Sequence, residues 1–133
     1  MQFSTSLRNA RLDVIESHIG TSAILYIFQG TKPAATTDAD AGTVLATVNL
    51  PSDWMANASG GTKLKSGTWE DISADATGTA QYFRIKDSTG TTTHIQGTIT
   101  VTGGGGDMTV DNTSVAITQQ ITVTQFTLAE GNA

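Results

Sequence analysis

His18 and His94 are the only histidines in this 133-residue chain, and there is no cysteine. That shortage limits the chemistry at once. Without thiols there is no disulfide, no thiolate nucleophile and no sulfur-ligated metal. The two imidazoles are the only side chains of ordinary pKa able to shuttle protons near neutrality. His18 falls in a helical pattern, and His94 falls on the polar face of a strand. A metal centre needs three or four converging ligands, and no local spacing supplies them. Serine–histidine–aspartate chemistry assembles from distant segments, but the strand–serine–helix elbow that often carries it is missing.

Other groups invite a chemical reading and a plainer one. Glu70 and Asp71, with Asp75 nearby, look like paired carboxylates. Neighbours on a strand point to opposite faces, so a solvated turn is the better expectation. Trp54, Trp69, Tyr26 and Tyr82 offer rings for stacking on a sugar, and Trp69 with Tyr82 is the pair placed to share a sheet face. The plainer reading puts those rings in a core or rim. The run GGGGDMTVDNTS, Gly103 to Ser114, lacks the lysine of a phosphate loop. A calcium repeat of the G-G-x-G-x-D kind needs glycine at 102, where threonine stands, and needs stacked copies. Gly103 to Gly106 therefore reads as a flexible turn between strands, with Asp111-Asn112 making the next turn. Asn57-Ala-Ser59 and Asn112-Thr-Ser114 match the glycosylation pattern, which carries weight only with an export signal. No catalytic, cofactor-binding or metal-binding residue is expected, and no enzyme.

The elements that hold these residues follow from periodicity. Residues 5–19 read as one helix, capped by Thr5 or Ser6 and ended by Gly20. Its apolar stripes are Leu7, Val14 and Ile15, overlapping Leu12, Ile15 and Ile19, while Arg8, Arg11, Asp13 and Glu16 make a polar side. Ser22 to Gln29 is apolar on both faces, as a central strand would be. A soft loop spans Gly30 to Gly42, and Thr43 to Leu50 alternates as a strand. Residues 51–68 read as irregular, with Trp54 and Met55 pinned to the core and 56–68 ordered only by a partner. In that segment Lys63 and Lys65 flank Leu64 as docking charges. Ala80 to Lys86 puts Phe83 and Ile85 inward, with Tyr82, Arg84 and Lys86 outward. Asp87 to Gly90 makes a turn. Thr91 to Val101 is the next strand. Ile121 and Val123 are out of phase with Phe126 and Leu128, so a bulge is expected near Thr124 or Gln125.

The sum is one mainly β domain, 1–133, with an N-terminal helix. An antiparallel β-sandwich is the natural closure, with a jelly-roll-like arrangement or a small barrel as alternatives. Its surface is unusual: 24 threonines and 14 glycines, with only 14% charged residues and a net charge of -5. Such a surface costs little side-chain entropy to immobilise against another protein. Net acidity without a basic cluster argues against nucleic-acid binding. No segment has the apolar length of a membrane span, and Met1 to Arg11 does not read as a secretory signal.

Two stretches, FSTSLRNARLDVIESHIG feeding SAILYIFQG, and GTAQYFRIKDSTG running on to QITVTQFTL, flank LPSDWMANASGGTKLKSGTWEDISADATG. Together they resemble small structural proteins of tailed bacteriophages, over most of the chain and by texture and word order. The resemblance implies a β-rich virion protein present in many copies, in the capsid or tail. It implies contacts with itself and with other virion proteins, and no active-site residues. The alternative class is a carbohydrate- or receptor-binding module, which depends on Trp69 and Tyr82 lying exposed.

Overall fold

The computed structural model describes residues 1–131. Helix α1 (Thr5–Ile19) has the expected span. Its cap is Ser4, one residue before Thr5 and two before Ser6, with Oγ accepting from Leu7 N at 3.2 Å. Gly20, at φ 99°, ends it and donates to Glu16 O. Ten strands follow: β1 (Ile24–Gln29), β2 (Thr43–Asn49), β3 (Thr62–Leu64), β4 (Glu70–Asp71) and β5 (Gly78–Thr79), then β6 (Tyr82–Lys86), β7 (Thr93–Val101), β8 (Met108–Val110), β9 (Ser114–Val115) and β10 (Ile121–Ala129). The domain is mainly β, with one main sheet ordered β2-β1-β6-β7-β8-β10-β3. β4 also pairs with β10, and β5 and β9 form a separate ribbon. Among the described residues no helix is long and apolar enough to cross a membrane.

The core lies on one face of the main sheet. Trp69 sits at its centre, 5.9 Å from Trp54 and 5.5 Å from Phe126 between ring centroids. Leu25, Ile27, Val48, Phe83, Ile85 and Val123 pack around these rings, all buried. Trp54 and Met55 are pinned there, as the sequence indicates. Two bulges adjust the pattern. The register shifts between Val123 and Gln125, which lets Ile121, Val123 and Phe126 all turn inward. The β1–β2 register shifts so that Leu45 has no opposite residue. Leu45 is consequently buried although its neighbours alternate around it.

The opposite face of β1 and β6 departs from expectation. Tyr82, Arg84 and Lys86 were expected outward, yet every residue of β6 is buried. The cover is neither helix nor second sheet but the segment 30–42. Phe28 and Tyr82 stack beneath it at 4.6 Å with planes 4° apart. The Tyr82 hydroxyl donates to Ala41 O.

The all-antiparallel expectation also fails at one pair. β7 and β8 run parallel, Ile99 beside Met108 and Val101 beside Val110. Parallel neighbours ordinarily need a crossover of about a dozen residues or more. Here residues 102–107 suffice, and the glycines explain how. The chain folds back over Thr100 so closely that a Cβ on Gly106 would lie 2.9 Å from Thr100 N. Gly106 N donates to Thr100 Oγ1 at 2.9 Å, and Asp107 Oδ2 accepts from Thr98 N at 2.8 Å. The glycine run is a turn between two strands, as the sequence indicates, with Gly104 and Gly106 packed on Thr100 and Gly103 and Gly105 open.

Candidate functional site: the helix and the segment beneath it

The helix meets the rest of the protein through part of its polar side as well as through Leu12, Ile15 and Ile19. Asn9, Asp13 and Glu16 recur at helical spacing along one face. Each accepts a backbone N–H from the segment running the other way beneath. Gly61 N donates to Asn9 Oδ1 at 2.9 Å, Ala58 N to Asp13 Oδ1 at 2.9 Å, and Met55 N to Glu16 Oε1 at 3.0 Å. A segment without regular partners would leave these donors unpaired, at a cost of about 1–3 kcal/mol each where buried. The helix supplies the acceptors instead.

Lys63 completes this arrangement. It is 1% exposed, with Nζ 2.8 Å from Asp13 Oδ1 and 3.2 Å from Glu16 Oε2. It also donates to Ala56 O at 2.9 Å. Burial pushes the Lys63 ammonium toward losing its proton, but the hydrogen bonds to Asp13 and Glu16 outweigh that and raise its pKa. The hydrogen bond from Lys63, with that from Ala58 N–H, holds the Asp13 carboxyl below its ordinary value. Lys63 is thus an internal tie and not a docking charge. Residues 55–63 are tied to the chain's own helix, and Lys65 and Ser66 bond to Phe126 O and Trp54 O.

Because α1 spends its polar side inward, part of its apolar side faces out. Leu12 and Ile19 are buried, while Leu7 is 46% and Val14 60% exposed. Next to Val14 lies a hollow of about 330 Å³ lined by Val14, Ile15, His18, Ile19, His94 and Ile95. The fold brings the two histidines together there, edge to face with centroids 5.4 Å apart. Sequence spacing gave no sign of this meeting. Among the described residues no group of three His, Cys, Asp or Glu gathers as a metal site.

The remaining candidates disperse. Trp54, Trp69 and Tyr82 are buried, so the proposed Trp69–Tyr82 sugar platform is absent. Glu70 and Asp71 lie on β4 and not in a solvated turn, but they do face apart: Glu70 accepts from Gln120 Nε2, and Asp71 accepts from Thr47 N across to β2. Asp75 joins Asp71 on Thr47, accepting from its hydroxyl at 2.8 Å. Asn112 Oδ1 accepts from Ser114 N in a local turn. Lys65 donates to Gly67 O and lies 5.8 Å from the Trp69 ring.

Sequence reasoning missed one further cluster. Arg84 is 1% exposed beneath segment 30–42. Its Nη1 donates to Asp38 O and Asp40 Oδ1, its Nη2 to Ala35 O and Gln96 Oε1, and its Nε to Gln96 Oε1. Lys86 reaches the other Asp40 oxygen at 2.7 Å. Burial raises the Asp40 pKa, but hydrogen bonds from Lys86 and Arg84 outweigh it and leave a net lowering. These groups fasten the segment to the sheet. A cavity of about 560 Å³ beside them has Arg84, Lys86, Asp38 and Asp40 along its wall, and their charges balance.

No protein-family model, curated protein or solved structure matches the chain.

Proposed function

We propose that this chain is a non-enzymatic structural protein of a tailed-bacteriophage virion, carried in many copies and held by protein–protein contacts in the capsid or tail. The observation that carries the reading is the orientation of α1. A helix that commits its polar side to its own domain and leaves Leu7 and Val14 outward presents a surface for another protein. The resemblance to small phage structural proteins points the same way, as does a surface rich in threonine and poor in charge. Its partners in this reading are further copies of itself and other virion proteins, with neither nucleic acid nor membrane. The carbohydrate-binding alternative loses its basis with the burial of Trp69 and Tyr82.

The finer architecture belongs to the same proposal. Of sandwich, jelly roll and small barrel, the barrel is favoured by links from β2 to Asp71 on β4 and to Asp75 just past it. Thr47 N donates to Asp71 Oδ2, and Asp75 N donates to Leu45 O at 2.8 Å. Slow amide exchange at Thr47 and Asp75 is the expected signature of that closure.

The test of function is quantitative mass spectrometry on purified particles of a phage encoding the chain. We expect the protein in the particle at a fixed multiple-copy ratio to the major capsid protein. Its presence only in the soluble fraction of infected cells would reject the reading.

A further inference from the structure

We propose that α1 pairs with α1 of a second copy, antiparallel and about a two-fold axis. The contact is the outward stripe Leu7, Ala10, Val14 and Ser17. The inference deepens the assembly reading above by naming one contact and its partner. These residues recur at spacings of three, four and three, the seam of a left-handed helix pair. All four are exposed.

The occupant follows from the alternation in size. Leu7 and Val14 are large, while Ala10 and Ser17 are small. Antiparallel pairing sets Leu7 against Ser17 of the second copy, and Ala10 against its Val14. Every layer then places a large side chain on a small one, in both directions. A parallel pair would instead set Leu7 on Leu7 and Ala10 on Ala10, with crowding in one layer and a gap in the next. Isologous two-fold contacts demand this kind of self-complementarity.

Three further observations agree. The hollow lined by Val14, Ile15, His18, Ile19, His94 and Ile95 opens on the Val14 flank of the stripe, so the contact is bordered there by a largely apolar recess. Ser17 directs its hydroxyl to its own helix, donating toward Val14 O at 3.1 Å, so it presents no unmet hydrogen bond to the partner. The stripe itself holds no charged residue. Arg11, on its flank, already has a counter-ion in Glu130 at 2.7 Å.

The helix is four turns long, about 22 Å. One such contact lies at the low end of interface sizes, so the dimer is weak alone and forms at about 10–500 µM. Repetition in a particle multiplies weak contacts into a firm one.

The test is sedimentation equilibrium of the full chain from about 10 µM to 1 mM, beside Val14→Glu and, as control, Leu64→Glu. Leu64 is also exposed but lies on β3, which packs under the polar side of α1 and not on the stripe. Circular dichroism checks that each variant is folded. We expect a monomer–dimer equilibrium in the parent chain and in Leu64→Glu, weakened at least about 100-fold in Val14→Glu. Geometry is read by disulfide trapping, since the chain has no cysteine of its own. A Leu7→Cys chain mixed with a Ser17→Cys chain should cross-link to each other in preference to themselves. Preferential Leu7→Cys self-cross-linking would overturn the antiparallel pair. Self-association unchanged in Val14→Glu would overturn the helix contact while leaving the assembly reading intact. A monomer at 1 mM would also overturn it, and presence in the particle would then still be decided by the copy-number measurement.

Discussion

Arg84 has five N–H donors and almost no access to water, so every donor needs a protein acceptor. The acceptors come from Gln96 on β7 and from three residues of segment 30–42. Truncating the side chain removes a buried cation and unfastens that segment together. Arg84→Ala should lower stability by about 3 kcal/mol in urea unfolding. Asp40, at 39% exposed, contributes a screened share of this, since solvent weakens its ion pair. Arg84→Lys should recover less than half, because a single ammonium cannot serve both Gln96 and the carbonyls of Ala35 and Asp38. A loss under about 1 kcal/mol in Arg84→Ala would show that the segment holds without it.

At the scale of elements, two segments that look loose in sequence are firm in the fold, for different reasons. The stretch beneath α1 is held by the Asn9–Asp13–Glu16 ladder. Asp13→Ala removes the acceptor of Ala58 N–H and one of the three acceptors of the Lys63 ammonium, leaving Glu16 and Ala56 O. Trypsin cleavage after Lys63 should then accelerate about tenfold or more over the parent chain; equal rates would mean that the ladder does not hold the segment. The return between β7 and β8 is held by close packing. Gly106→Ala drives a methyl into Thr100 and should cost about 3 kcal/mol. Gly103→Ala meets nothing within 4 Å and pays only for its φ of 86°, about 1 kcal/mol. Matching unfolding midpoints for the two variants would contradict that account. The helix span, the bulge near Thr124 and the turn at Gly90 were legible because each is decided by neighbours in sequence. The inward turn of Arg84 and Lys63 was not, since their partners lie 44 and 50 residues away. The helix orientation was half legible: the Asn9, Asp13 and Glu16 spacing marks a polar stripe, but only the donors beneath it make that stripe the buried one. The parallel return hides for a related reason, as strand direction is set by where the chain packs and not by its alternation.

For the whole molecule, stability should be flat near neutrality and fall at both extremes. Asp13 and Asp40 have carboxyls lowered from 3.8 in the fold, so their contribution is full above that value. It is lost as pH falls from about 5 through the folded-state values. On the alkaline side burial raises the Tyr82 hydroxyl above 10.0, against the hydrogen bond that Ala41 N donates to its oxygen, and Lys63 is raised above 10.5. Their contribution is full below those values and lost as pH climbs through the folded-state ones. Urea midpoints across pH 3–11 should trace this plateau, and the combined variant Asp13→Asn with Asp40→Asn should flatten its acid limb. An acid limb unchanged in that variant would assign the loss to other carboxylates. The strand order carries one more consequence, for the order of events as the protein is made. β10 joins β8 on one side and both β3 and β4 on the other, yet it is the strand furthest along the chain. Nothing synthesised earlier can stand in for it. While a ribosome is still adding residues before Ile121, the tryptophan cluster has no Phe126 to close on, and β3 and β4 have no strand to pair with. Folding of this domain therefore completes only once β10 has been made.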